Sequence, residues 1–218
     1  MARERVCKTV HQYSKLPISP GDMEKLEEIA KDCQRVKNYV YKRFGGIGGL
    51  AKLYPGYTVQ NEMTGSGLRA ELGLPSVYFY LAVFDALGDI KSQWTRTKSK
   101  LSKLIAQNEG FSDEEKHYLR FLLKVNNAFE AVLNQHPLVL PKEIEKQYKL
   151  LADAVDTERL HRYLCRQVRK HHKMQHTELA NGFSLSFKAY RYENGGIYIA
   201  TKEKRKRIFI PLTDKNQY

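Results

Sequence analysis

The stretch "SLSFKAYRYENGGIYIATKEKRKRIFIPL" (residues 184–212) is where the chain changes its period. Before it, apolar residues recur at helical spacing. From Phe183 onward, Phe183, Leu185, Phe187 and Ala189 alternate with Ser184, Ser186, Lys188 and Tyr190, the two-residue repeat of a half-buried strand. "ENGG" (193–196) carries the turn chemistry of a hairpin. Two β-rich runs, Ile197–Tyr198–Ile199 and Ile208–Phe209–Ile210–Pro211–Leu212, then flank the basic burst "KEKRKR" (202–207). A disordered basic tail would not carry those apolar residues, so strands are expected there. Residues 4–15 also alternate loosely and read as a strand. The order strand, helices, strands predicts an α+β fold. Its β part is a small antiparallel, barrel-like module closed by both chain ends (1–18 and 181–218). Between them lies a helical insertion (19–180) of about four helices.

The insertion opens on "SPGD", with Ser19 as N-cap, Pro20 at the first helical position and Asp22 in the first turn. Met23, Leu26, Ile29, Ala30, Cys33, Val36, Val40 and Phe44 form one apolar stripe, with Lys31, Arg35, Asn38 and Lys42 opposite and Arg43 at the end. "GGIGG" (45–49) ends this helix. Residues 50–75 are rich in Gly and turn formers and read as a long connection with a short helix at 66–72. A second helix is expected over 76–107, with Leu87, Ile90, Trp94, Leu101, Leu104 and Ile105 on one side. A third spans 112–134, opened by Ser112 and Glu115 as a capping box. A fourth covers 142–178.

The charge balance points to a polyanionic partner: 37 Lys and Arg stand against 24 Asp and Glu, a net +13 in 218 residues. No apolar run approaches a membrane span, and the first residues, "MARERVCKTVHQY", lack the apolar core of a secretory signal. Cys7, Cys33 and Cys165 are too few and too scattered for a disulfide framework or a zinc set, which suits a reducing cytosol. The 14 tyrosines suit base stacking as well as core packing.

Arg159, Arg162, Arg166, Arg169, Lys170 and Lys173 fall within an arc of about 100° on the fourth helix, beside a separate stripe of Leu160, Leu164 and Val168. An acid-free basic ridge next to a packing face suits a helix lying along a phosphate backbone. A solvated face usually mixes signs. Arg96, Lys100 and Lys103, flanked by Lys91 and Lys98, form a second ridge on the 76–107 helix. Such a Lys-rich face is also an ordinary solubility device. Lys202, Lys204, Arg205, Lys206 and Arg207 read as a hairpin loop clamping a backbone.

"FGGIGGLA" is not a phosphate loop, because it follows a helix and no Gly-Lys-Ser/Thr appears. His172 and His176 stand i,i+4 on the expected helix, yet lack a third metal ligand. The pairs Asp153/Asp156 and Asp85/Asp89 are not placed for two-metal hydrolysis. By its own residues the chain reads as non-catalytic, with no cofactor.

Taken in order, these pieces resemble the N-terminal half of TnpB transposon-encoded nucleases and the related type V CRISPR effectors. "CQRVKNYVYKRF" is similar to the family phrase Cys/Ala-x-Arg-x-Val-Tyr-Asn. "LPSVYFYLAVFDALGDIKSQW" resembles the helix in which Leu-Pro-Ser precedes Leu-x-x-Leu-x-x-Ala and an aromatic. The 184–212 stretch resembles the strand pairs of the family's wedge domain.

The resemblance implies a wedge module plus a recognition lobe that bind a guide RNA and its target double-stranded DNA, with sequence read by base pairing. It implies motif reading beside the target by Tyr57, Gln60, Asn61 and Thr64, with Ser76 and Tyr80 where relatives often carry Lys or Gln. Gln and Asn have the paired donor and acceptor that read adenine edges. In the family a RuvC-type nuclease with Mg2+ held by three acidic residues, and a Cys-rich zinc ribbon, follows the wedge strands. Neither is in this sequence, so a truncated fragment of such a protein, a split protein with its nuclease half acting in trans, a second copy, or a nuclease-less derivative is implied. The expected setting is a prokaryotic cytoplasm, close to the nucleoid and away from membranes. A standalone basic RNA- or DNA-binding adaptor that uses no guide remains the alternative, and an unrecognised enzyme a third.

Overall fold

A computed structural model describes residues 11–54, 56–180 and 182–213. The fold is α+β. Helices α1 (Pro20–Phe44), α2 (Tyr57–Thr64), α3 (Leu68–Glu71), α4 (Ser76–Ala106), α5 (Asp113–Lys124), α6 (Asn126–Asn134), α7 (Lys142–Ala152) and α8 (Thr157–His171) precede strands β1 (Tyr190–Glu193), β2 (Gly196–Ala200) and β3 (Arg207–Pro211). The chain forms two compact units. Among the described residues, one comprises 11–34, 68–82 and 179–213; the other comprises 35–67 and 83–178.

In the first unit the three strands form one antiparallel sheet in the order β1-β2-β3. Asn194 (φ 55°) and Gly195 (φ 67°) both take the left-handed conformation that a two-residue hairpin turn of matching twist requires. Ile199, Ile208 and Ile210 make one buried face, covered by Ile18, Leu26, Phe183, Leu185, Ile197 and Leu212. Tyr78 seals it: its hydroxyl donates to Ala200 O at 2.5 Å and its ring meets Phe183 edge-on at 5.3 Å. Burial raises its pKa to about 12.

The sheet is open rather than barrel-like among the described residues. Of the expected N-terminal strand 4–15, residues 4–10 lie outside the described residues. Ser14 bridges Leu212 antiparallel, with Lys15 N donating to Pro211 O at 2.7 Å. Residues 183–188 do not form the expected strand. Ser186 O accepts from Ala189 N and Tyr190 N in a turn, which takes these donors out of a ladder and leaves Phe187 79 % exposed.

In the second unit the helix boundaries depart from expectation where packing outweighs periodicity. The expected 112–134 helix starts on its capping box, as read. It breaks at Val125, which is extended (φ −92°, ψ 104°). The residues buried on α5 (Tyr118, Leu119, Phe121, Leu122, Leu123) and on α6 (Ala128, Phe129, Ala131, Leu133) would ring most of one straight helix. Two helices can bury both sets. The expected 142–178 helix likewise divides into α7 and α8, because Asp156 caps α8 by accepting from Arg159 N at 3.0 Å. With α2 and α3 in the 50–75 connection, about four expected helices become eight among the described residues.

The 50–75 connection is also mostly structured. A 3₁₀ turn at Ile47–Lys52 is followed by α2, anchored by buried Val59 and Met63 and by Glu62, which pairs with Lys52 (2.5 Å) and Arg43 (3.3 Å). Gly49 is obligatory in this 3₁₀ turn: a Cβ there would sit 2.1 Å from Phe44 O at the end of α1. No helix among the described residues is long and apolar enough to cross a membrane.

Candidate nucleic-acid interface

α8 has the strongest division of faces in the molecule. Leu160, Leu164 and Val168 are fully buried. Arg162, Arg166, Arg169 and Lys170 are exposed, as is Lys173, which lies just past the helix end. Glu158 in the first turn and Arg169, Lys170 and His171 in the last turn complement the helix dipole. Arg162 pairs with Glu158 one turn back at 3.2 Å, both well exposed. Arg166, Arg169, Lys170 and Lys173 have no ion pair among the described residues. Arg159 stands apart from them: its guanidinium pairs with Glu115 and covers the Phe111 ring. It ties α8 to α5 and is not available as a free phosphate contact.

The arginines form one wall of a groove of about 960 Å³, with Ala131, Val132, Leu138, Tyr148, His161 and Cys165 among its other lining residues. Tyr118 Oη lies 2.7 Å from His161 Nε2 and 3.3 Å from Tyr148 Oη beneath it. Burial depresses the His161 pKa, so this ring is neutral and the positive charge is left to the wall. Arg159 to Arg169 spans about 15 Å of helix, the axial length of roughly four phosphates of one strand.

His172 decides where α8 ends and what lies beside it. Its ring stacks on Trp94 at 3.6 Å, Nε2 is 2.8 Å from Gly45 O, and Nδ1 is 3.1 Å from Thr97 Oγ1. A carbonyl only accepts, so Nε2 carries the proton. Burial holds the ring below the ordinary histidine range, with the Gly45 bond opposing. The backbone turns extended at this residue (φ −80°, ψ 126°). The expected His172/His176 helical pair is therefore not formed. This contact sets the end of α8 against α4. Burial, Lys100 and Lys170 all depress the His171 pKa.

The α4 ridge is only partly a ridge. Arg96, Lys100 and Lys103 are exposed, whereas Lys91 covers the Tyr54 ring at 4.6 Å. Lys98 turns inward, bonding Asn126 Oδ1 at 2.8 Å over the Phe129 ring at 4.4 Å. Burial lowers its pKa to about 8. Between pH 8 and the unfolded value near 10.5 the unfolded chain binds the extra proton, so stability should rise with pH across this window. In Lys98→Met that rise should be missing from paired thermal-denaturation curves; identical pH dependence of the two proteins would refute it.

Arg35 and Lys42 border a second groove of about 570 Å³ with Tyr39, Met174, Gln175 and His176. Asn38, expected to face solvent, clasps the backbone of Thr177 through two bonds of 2.9 Å. Arg43 is engaged with Glu62. Tyr57, Gln60, Asn61 and Thr64 lie not on a loop but on α2, where the i, i+3, i+4, i+7 spacing puts them on one face; Thr64 Oγ1 bonds back to Gln60 O. Ser76 and Tyr80 lie on the first turns of α4, in the other unit.

In the 202–207 loop, Lys204, Arg205 and Arg207 are exposed. Lys206 pairs with Glu203. Lys202 is drawn inward, 2.7 Å from both Glu28 and Asp32.

Sequence reasoning missed the His172–Trp94–Thr97 junction and the Tyr118–His161–Tyr148 cluster. The aromatic and His positions were visible, but their partners lie 30 to 78 residues away in the chain. Among the described residues, no group of three or more His, Cys, Asp or Glu is placed to hold a metal ion. No protein-family model, curated protein or solved structure matches the chain.

Proposed function

We propose that this chain binds nucleic acid through the phosphate backbone, as the guide-RNA- and target-DNA-binding part of an RNA-guided DNA endonuclease or of a nuclease-less RNA-guided DNA binder. The observation that carries the binding reading is the α8 wall. Arg162, Arg166 and Arg169 line a groove at 3- and 4-residue intervals, and Lys170 is exposed on the last turn of the same helix. A backbone reader needs positive charge in a row, without base-specific groups at every step. In this reading residues 1–18 and 181–218 form a wedge-like β module, the helices a recognition lobe, and the α2 face a reader of target-adjacent bases. Cleavage is assigned to a nuclease outside these residues.

The test is to purify the chain and sequence the RNA that travels with it. One dominant species with a constant scaffold and a variable end is the expected result. A mixed pool of cellular RNA would replace the guide reading by that of a general RNA-binding adaptor.

A further inference from the structure

The sheet has a second face that the core does not use. Arg191, Tyr198 and Phe209 stand in register across the three strands, on the side opposite Ile199, Ile208 and Ile210. The Tyr198 and Phe209 rings lie 4.6 Å apart at 36°, and Phe209 is 41 % exposed. Arg191 and Arg207 are exposed at the two outer strands, and Lys204 and Arg205 are exposed in the adjoining loop. Two carboxylates stand among them: Glu193, 3.7 Å from Arg191, and the exposed Glu203 of the loop, paired with Lys206.

Cross-strand packing alone explains an aromatic pair on a sheet. It does not explain the residue beneath it. Gly196 sits in the central strand, where glycine weakens the strand and marks a close approach. A Cβ at Gly196 would lie 2.5 Å and 2.7 Å from Cε2 and Cζ of Phe209, and 2.6 Å from Ile210 O of the neighbouring strand. Phe209 thus rests against the backbone, with its exposed side turned to solvent, instead of standing upright.

We propose that this face is a stacking platform for unpaired bases of single-stranded RNA, with Tyr198 and Phe209 taking the bases and Arg191 and Arg207 the flanking phosphates. The choice of RNA rests on the function proposed above; the platform itself uses residues separate from α8. Aromatic rings on an open sheet bordered by cations accept any base with a free π-face. A duplex, whose bases are already stacked, gains nothing from them.

The probe is a short oligouridine carrying one 2-aminopurine, with a matching abasic oligomer, a single-stranded DNA of the same sequence and an RNA duplex. Stacking should quench the 2-aminopurine on binding. The double variant Tyr198→Leu/Phe209→Leu should bind the base-bearing RNA roughly tenfold more weakly, without quenching, by a ratio that stays constant as salt rises. The abasic oligomer and the duplex should not distinguish it from the parent chain. DNA bound and quenched equally would widen the ligand to any single strand and overturn the assignment to RNA.

Photo-crosslinking of 4-thiouridine RNA to the unaltered chain gives a variant-free check: adducts should map to Tyr198 or Phe209. Adducts only elsewhere, equal affinity for the abasic oligomer, or a double variant that changes self-association and leaves quenching intact would overturn the platform. Charge reversal on α8 should weaken every probe, the abasic one included. If it weakens none while the sheet variant still loses quenching, the α8 reading fails and the platform stands.

Discussion

Replacing Arg162, Arg166 and Arg169 together by Glu is expected to abolish retention of RNA by the purified chain. The three side chains share one wall of the α8 groove, and reversing them turns that wall acidic beside Glu158. Each phosphate that the helix no longer neutralises takes about 0.7 to 0.9 from the slope of log affinity against log salt, so the slope should fall by roughly two to three. At low salt the affinity should fall by about 100-fold or more by the same dependence.

Folding should survive this change, because Leu160, Leu164 and Val168 still pack and all three arginines are exposed. The exposed Arg162–Glu158 pair contributes about 0.5 kcal/mol, and acidic side chains in the last turns of α8 cost a further ~0.5 kcal/mol each. The thermal midpoint should therefore drop by only a few degrees. Arg→Gln at the same positions should give an intermediate loss. Filter binding and thermal denaturation in parallel separate the effects. A variant that remains folded and keeps its RNA would remove α8 from the interface.

Lys202→Met is expected to act on stability instead of on RNA. The basic run 202–207 reads as a row of phosphate contacts, but the Lys202 side chain is about four-fifths buried and bonds both exposed Glu28 and buried Asp32, which is 6 % exposed. Burial alone would depress the Lys202 pKa. The bonds to Asp32 and Glu28 outweigh it and raise the pKa instead. The stabilisation is therefore complete below the unfolded value near 10.5 and is lost only as pH climbs through the higher folded value.

Removing the ammonium leaves a buried carboxylate without this partner, a change that costs about 3 kcal/mol. For a chain of this size that lowers the midpoint by on the order of 6 to 12 °C. Lys204→Met, whose side chain is exposed and has no ion pair among the described residues, is the matched control: it should leave stability unchanged. Equal midpoints for the two variants would show that the ion pair stabilises nothing, and a specific loss of RNA affinity in Lys202→Met would return that lysine to the interface.

The features legible from sequence are those whose cause lies within four residues. Ser19 and the Ser112/Glu115 box cap their helices as read, Asn194 and Gly195 turn the hairpin, and the 76–107 helix is α4 to within a residue. The apolar and basic stripes of α8 were equally visible, because helical periodicity places both without knowledge of the partner.

What the sequence by itself determined is therefore the α+β class, the caps and turns, and the existence of a basic helix face. The tertiary structure decided which cations are free. Arg159 is claimed by Glu115, Arg43 by Glu62, Lys98 by Asn126 and Lys202 by Asp32, leaving Arg166, Arg169, Lys170, Lys100 and Lys103 toward solvent without an ion pair among the described residues, and Arg162 exposed in its pair with Glu158. It also decided the breaks at Val125 and before Asp156, and the end of α8 at His172. For the claimed cations and for His172 the physical reason is the same. A charge or a ring is held by whatever packing brings to it, and those partners lie from 19 to 170 residues away, beyond the reach of any local pattern.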